Sequence, residues 1–131
     1  MKRDLDSIIL TRQELQIMKV VWDRGAATVK DVCEVISKRK PTAYTTILTL
    51  MGILEDKGAL THVRAGRAYV YKPLLSRGQA TRNQVRDVMV RFFDGRPEKL
   101  IQNVLDNEFT EPSQWTHLKS MVESGGENQV A

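Results

Sequence analysis

Apolar residues recur at helical spacing early in the chain. Leu15, Met18, Val21 and Trp22 fall on one face at about 100° per residue, with Ile17 and Val20 widening it. Thr11 and Glu14 have capping-box spacing, and Leu10 and Leu15 occupy the positions of a hydrophobic staple. A first helix is therefore predicted over residues 12–24, stopped by Gly25. Thr28 and Asp31 repeat the start signal for a second helix, which buries Val32, Cys33, Val35 and Ile36 ahead of the run Lys38-Arg39-Lys40. Pro41 closes it, because the residue before a proline is pushed out of the helical region. The stretch 41–57 predicts a third helix, ending at Gly58. Over residues 60–72 the alternation becomes strand-like. Tyr69 and Tyr71 lie on one face and Ala68 and Val70 on the other, which predicts a hairpin turning at Ala65-Gly66-Arg67.

Beyond the hairpin, Ser76 and Gln79 open a long helix to about residue 93, and Gly95 ends it. Pro97 suits the first position of a shorter helix, and a last one is expected over residues 111–123. Three helices and a hairpin within residues 8–75 give a mainly α chain whose element order is that of a winged helix-turn-helix. Residues 76–122 form a helical region with one apolar stripe per helix and too little mass for a core of its own. A second copy would bury what one copy cannot, so homodimerisation is expected through Val88, Met89, Phe92, Phe93, Leu100, Ile101, Val104, Leu105, Trp115, Leu118, Met121 and Val122. Residues 123–131 are expected to be a disordered tail.

The third helix carries the most informative polar pattern. Tyr44, Ile47, Leu48, Met51 and Leu54 share one side, the expected core side, while Thr42, Thr45, Thr46 and Thr49 cluster on the other. Solvated helix faces favour Lys, Glu, Gln and Ala, since β-branched threonine lowers helix propensity. Short hydroxyl and methyl side chains can instead reach base edges, thymine methyl groups and phosphates in a major groove. Thr45, Thr46, Thr49 and Ala43 are candidate DNA contacts, and Thr42 is either a contact or the N-cap. The Tyr44 ring is expected in the core. Arg64 and Arg67 flank the hairpin tip, where a wing meets phosphates or the minor groove. Lys38 and Lys40 either touch phosphates or complement the dipole of the second helix.

Charge sharpens this division. Residues 1–75 hold 13 Lys+Arg against 8 Asp+Glu, net +5, whereas residues 76–131 hold 7 against 8, net −1. The asymmetry fits a polyanion-binding N-terminal module joined to a region with another task, the alternative being uneven but ordinary surface charge. The single cysteine excludes an internal disulfide and a thiolate-rich metal site, and His62 and His117 have no ligand-spaced partner. No metal or other cofactor is expected. Paired catalytic carboxylates, an activated nucleophile and a phosphate-cradling glycine loop are all missing, so an enzyme is not expected. No apolar run reaches membrane-span length and the opening residues lack a signal-peptide pattern, which places the chain in the cytoplasm as an expectation.

The segments LTRQELQIMKVVW (residues 10–22), TVKDV (28–32), AYTTILTLMGILEDKG (43–58) and GRAYVYKPLLS (66–76) closely resemble the penicillinase repressor family, the BlaI/MecI-type regulators. The resemblance extends more weakly to about residue 122. It implies a dimeric winged-helix transcriptional repressor on a palindromic double-stranded DNA operator. In members wired to β-lactam sensing, it also implies inactivation by a membrane-bound metalloprotease system that cuts an Asn-Phe bond. The matching position is Asn103-Val104, a candidate proteolytic release site with valine in place of phenylalanine. The paired cysteine motifs of copper-responsive relatives do not occur here. The alternative is a winged helix used as a protein-interaction module, since fold does not fix function.

Overall fold

The computed structural model describes residues 4–107 and 111–128. A short 3-10 turn at Leu5–Ser7 precedes α1 (Arg12–Arg24), α2 (Val29–Ser37) and α3 (Tyr44–Lys57). Strands β1 (Leu60–Ala65) and β2 (Ala68–Pro73) follow, then α4 (Arg77–Phe93), α5 (Pro97–Asp106) and α6 (Pro112–Asn128).

Local chemistry sets these boundaries. Thr11 and Glu14 form a complete capping box at α1, as do Thr28 and Asp31 at α2. At α4 the Ser76 amide donates to Gln79 Oε1 at 3.0 Å, and the Gln79 amide returns to Ser76 Oγ at 3.1 Å. Gly25 closes α1 at φ +79° and Gly58 closes α3 at φ +91°, backbone conformations that L side chains resist. The hairpin is antiparallel, with Ala65 opposite Ala68, so its turn is Gly66-Arg67 and Ala65 belongs to the strand. Gly66 takes φ +65° at the first turn position, the place a type II′ turn reserves for glycine. Strand β2 also exchanges hydrogen bonds with the chain ahead of α2: Tyr71 N–H donates to Ala27 O at 2.8 Å, and Ala27 N–H to Tyr71 O at 3.0 Å. That bridge ties the wing to the helical body.

Two compact units emerge, Met1–Val85 and Arg86–Ala131. The first has a core of Ile17, Met18, Val21, Val32, Ile47, Met51, Leu54, Leu60 and Leu75, each at most 1% exposed. Burial of that extent stabilises by about 1.5–3 kcal/mol per large side chain. This unit takes in the first half of α4, past the Leu75 limit expected for the winged helix. Asn83 explains why: 1% exposed, it donates through Nδ2 to Leu5 O at 2.7 Å and Ile8 O at 3.0 Å, pinning α4 to the chain's start. Trp22 Nε1 donates to Leu75 O at 2.8 Å, and Arg77 pairs with Asp23 at 3.0 Å.

In the second unit, α4 stops in two left-handed residues, Asp94 at φ +53° and Gly95 at +75°. Pro97 starts α5. Helix α6 begins at Pro112 and runs to Asn128, through the Gly125-Gly126 pair and past residue 123, where a disordered tail is expected from the sequence. Glycine costs only about 1 kcal/mol per helical position and does not by itself stop a helix. The last three residues of that expected tail lie outside the described residues.

Candidate nucleic-acid interface

Helix α3 is anchored by Ile47, Met51 and Leu54, at most 1% exposed. Opposite that stripe lie Thr45 and Thr49, with Thr46 on one shoulder, and all three are exposed. On the other shoulder, Tyr44 is 51% exposed and Leu48 43%, so neither ring nor leucine belongs to the core as periodicity predicted. The buried stripe centres on Ile47, Met51 and Leu54, and Leu48 stands roughly 90° around the helix from it. Among the described residues nothing buries that shoulder; a groove of about 680 Å³ opens there between α3 and the wing, lined by Tyr44, Leu48, Arg67, Ala68 and Tyr69 with Thr28, Val29 and Lys30 from the start of α2.

The N-cap of α3 is Ala43, with extended φ and ψ of −68° and 143°, and among the described residues no side chain caps it. Thr42 is therefore not the cap. Its hydroxyl donates to Lys40 O at 2.8 Å, while its amide donates to Ser37 Oγ at 3.3 Å and its carbonyl accepts from Ser37 Oγ at 3.2 Å. Ser37 thus clamps the turn between α2 and α3. A bare helix N-terminus presents amides and a partial positive charge, which suits a phosphate.

A second groove of about 410 Å³ runs along the other shoulder of α3. Arg12, Gln13 and Gln16 of α1, Arg39 and Lys40 after α2, and Thr42 and Thr46 line it. The exposed threonine ridge is thereby flanked by cations on both sides: Arg12, Arg39 and Lys40 on one, Lys30 and Arg67 on the other. Lys38 is exposed at the C-cap of α2 but lines neither groove. Arg64 is exposed near the wing tip, its Nε donating to Gly66 O at 3.2 Å. Arg12, Gln13, Gln16, Lys30 and Tyr69 carried no sequence signal, because only the tertiary approach of α1 and the wing to α3 brings them here.

Two contacts hold α3 in place. At its C-terminus, Lys57 Nζ donates to Glu14 Oε1 at 2.7 Å and to Ile9 O at 3.2 Å. Glu14 is 2% exposed. Burial pushes its carboxyl up, but the Lys57 hydrogen bond, the Thr11 amide and the Lys57 charge outweigh that and leave it below the ordinary glutamate value. At the wing, His62 Nδ1 lies 2.8 Å from Glu55 Oε1, and its ring packs 4.5 Å from Tyr69 and 5.4 Å from Tyr71. Burial, then the neighbouring Glu55 carboxylate, raises the Tyr71 phenol above its usual value.

The remaining candidate residues lie in the second unit. Val88, Met89, Phe93, Leu100, Val104, Leu105, Trp115 and Leu118 are half-buried, while Phe92 (69%), Ile101, Met121 and Val122 are exposed. Asn103 is exposed inside α5, and its carbonyl accepts from the Asn107 amide at 3.2 Å and from Asn107 Nδ2 at 2.8 Å. Among the described residues no helix is long and apolar enough to cross a membrane, and no group of three or more His, Cys, Asp or Glu could hold a metal.

Comparison with known proteins bears on this geometry. A family model described as penicillinase repressor matches residues 10–124. The chain is 30% identical over 95 residues to the penicillinase repressor of Bacillus licheniformis, covering 72% of this chain and 74% of that protein. It is also 30% identical over 82 residues to the transcriptional regulator BlaI of Mycobacterium tuberculosis, covering 62% and 59%. The solution structure of the DNA-binding domain of the repressor BlaI superposes with a TM-score of 0.51 at 31% identity, covering 59% of this chain and 92% of that one.

Proposed function

The chain belongs to the penicillinase repressor family, and from that premise we propose that it is a homodimeric transcriptional repressor that occupies a palindromic operator in the cytoplasm. One observation carries the reading: an exposed, cation-free threonine ridge on α3 lies between two grooves edged with Arg12, Arg39, Lys40, Lys30 and Arg67. That arrangement suits a helix inserted in a major groove while flanking cations take the phosphates on either side. Thr45, Thr46 and Thr49 then face base edges, with Ala43 and Thr42 at the entering end. Lys38 and Arg64 add phosphate contacts, and Arg67 does so from the wing. Phosphate neutralisation supplies the salt-sensitive affinity and the ridge supplies discrimination.

Two copies joined through the apolar stripes of α4, α5 and α6 would set two α3 helices about one DNA turn apart. Repression is occupancy of a promoter. Release belongs to the same reading: a membrane metalloprotease system would cut at Asn103-Val104, and α5 must unwind first because the bond lies within helical backbone. A fragment ending at Asn103 should then appear in mass spectra during derepression, and persistently intact chain would dismiss that route.

Binding itself is tested by fluorescence anisotropy with the full chain, its own promoter DNA and a scrambled duplex of equal length. The promoter should bind at least about a thousandfold more tightly, the lower end of the range of specific over non-specific binding. Equal binding to both would favour the protein-interaction module instead.

A further inference from the structure

The exposed surface of α3 is made by Tyr44, Thr45, Thr46, Leu48, Thr49 and Ile53, with Asp56 at its far end. No arginine, asparagine or glutamine occurs in α3, and its one lysine, Lys57, is held by Glu14 at 2.7 Å and Ile9 O at 3.2 Å. Bidentate readout of guanine needs Arg or Lys, and bidentate readout of adenine needs Asn or Gln. This helix supplies neither. What it offers is apolar: Tyr44 and Leu48, four residues apart, form one row, and Thr45 and Thr49 form a parallel row of hydroxyls and methyls beside it. Tyr44 and Leu48 remain 51% and 43% exposed on a helix whose own core stripe is complete. The cations of the adjoining groove, Lys30 and Arg67, project from α2 and the wing rather than from the reading helix.

In a major groove, the 5-methyl group of thymine is the apolar feature that distinguishes one base pair from another. We propose that Leu48, flanked by Tyr44 and Thr45, is a specificity-determining residue that packs against thymine methyl groups, so that each operator half-site is discriminated by thymine positions and not by guanine contacts from α3. The inference rests on the repressor function proposed for the ridge and adds to it the chemistry of the bases read.

The test leaves the protein untouched. A preferred operator is first selected from random duplexes with the full-length chain, and each thymine is then replaced singly by deoxyuridine, which keeps the base pairing and the O4 acceptor and removes only the methyl. At one or two positions per half-site the affinity should fall roughly three- to fivefold, the scale of one buried methyl, with the salt dependence unchanged. In Leu48→Ala, whose fold is checked by its melting curve because the side chain is exposed, uridine at those positions should have no further effect. Uridine tolerated everywhere would overturn the proposal, as would undiminished uridine sensitivity in Leu48→Ala. Failure to select any preferred sequence would overturn the repressor reading itself, and this inference with it.

Discussion

The two units of the chain use the same local signals and reach different ends. In Met1–Val85, capped amphipathic helices and a hairpin enclose fifteen buried hydrophobic residues among those described. In Arg86–Ala131, helices with equally clear apolar stripes bury no described side chain, and Phe92 stands 69% exposed. Periodicity tells a helix which face to hide, but hiding it needs a covering element. The first unit supplies its own; the second presents a surface that a second copy would complete. Folding and DNA contact in the first unit should therefore be separable from the pairing of half-sites, which the second unit would supply.

The largest effect should come from the second unit. Phe92→Asp places a charge on the exposed stripe, so sedimentation should report monomers where the proposed reading expects a dimer of the parent chain. Operator affinity should fall by about 10²–10⁴-fold as the paired half-sites lose their effective concentration, while the first unit keeps its cooperative melt. A dimeric Phe92→Asp would break the contrast. The converse variant, Met51→Ala, opens a cavity at a fully buried position and should cost about 2–5 kcal/mol in denaturant unfolding. If Met51→Ala left the first unit's stability unchanged, that unit would not own its core.

How far the sequence foretold this depends on the range of the interaction. Capping boxes at Thr11, Thr28 and Ser76 and glycine stops at Gly25 and Gly58 were legible because each acts within four residues. Thr45, Thr46 and Thr49 were expected on an exposed face and are found on one. The width of the buried stripe was not legible: Tyr44 and Leu48 share helical phase with its edge, and only the wing's course decides that they stay bare. Nor were Arg12, Gln13 and Gln16 legible, since they meet Thr42 and Thr46 in the α3 groove across more than 25 residues of sequence. The Ala27–Tyr71 bridge escaped notice for the same reason, two residues being too few for a strand pattern.

A smaller effect tests the tie between α1 and α3. In the parent chain the Glu14 carboxyl sits below its ordinary value of 4.5, so the folded state binds that proton more weakly than the unfolded chain. The pair's contribution is therefore fully present above that value and is lost as the pH falls through the folded one. Lys57→Met removes both the hydrogen bond and the charge that oppose burial, leaving the carboxyl free to rise. A raised carboxyl reverses the sign: the variant should be destabilised at neutral pH by about 1–3 kcal/mol, the cost of an uncompensated buried group, and should regain stability on mild acidification. Unfolding free energies from pH 7 down to about 4 would show opposite slopes for the two proteins. Parallel slopes would mean that Lys57 does not set the Glu14 carboxyl.

The smallest effect concerns the wing and confines DNA contact to the first unit. Arg67 is exposed in the groove beside Tyr44 and Leu48 and would neutralise one phosphate. Arg67→Ala should weaken promoter and scrambled DNA by the same factor, and the slope of log affinity against log salt should shrink by about 0.9 per subunit, the counterion share of one contact. Neither the oligomeric state nor the melting curve should change. Thr46→Ala supplies the control: with no charge removed, its slope should stay put while preference for the operator relaxes. Should Arg67→Ala instead erase sequence preference and spare the slope, the wing would be reading bases, and the assignment of discrimination to α3 would have to move to the hairpin.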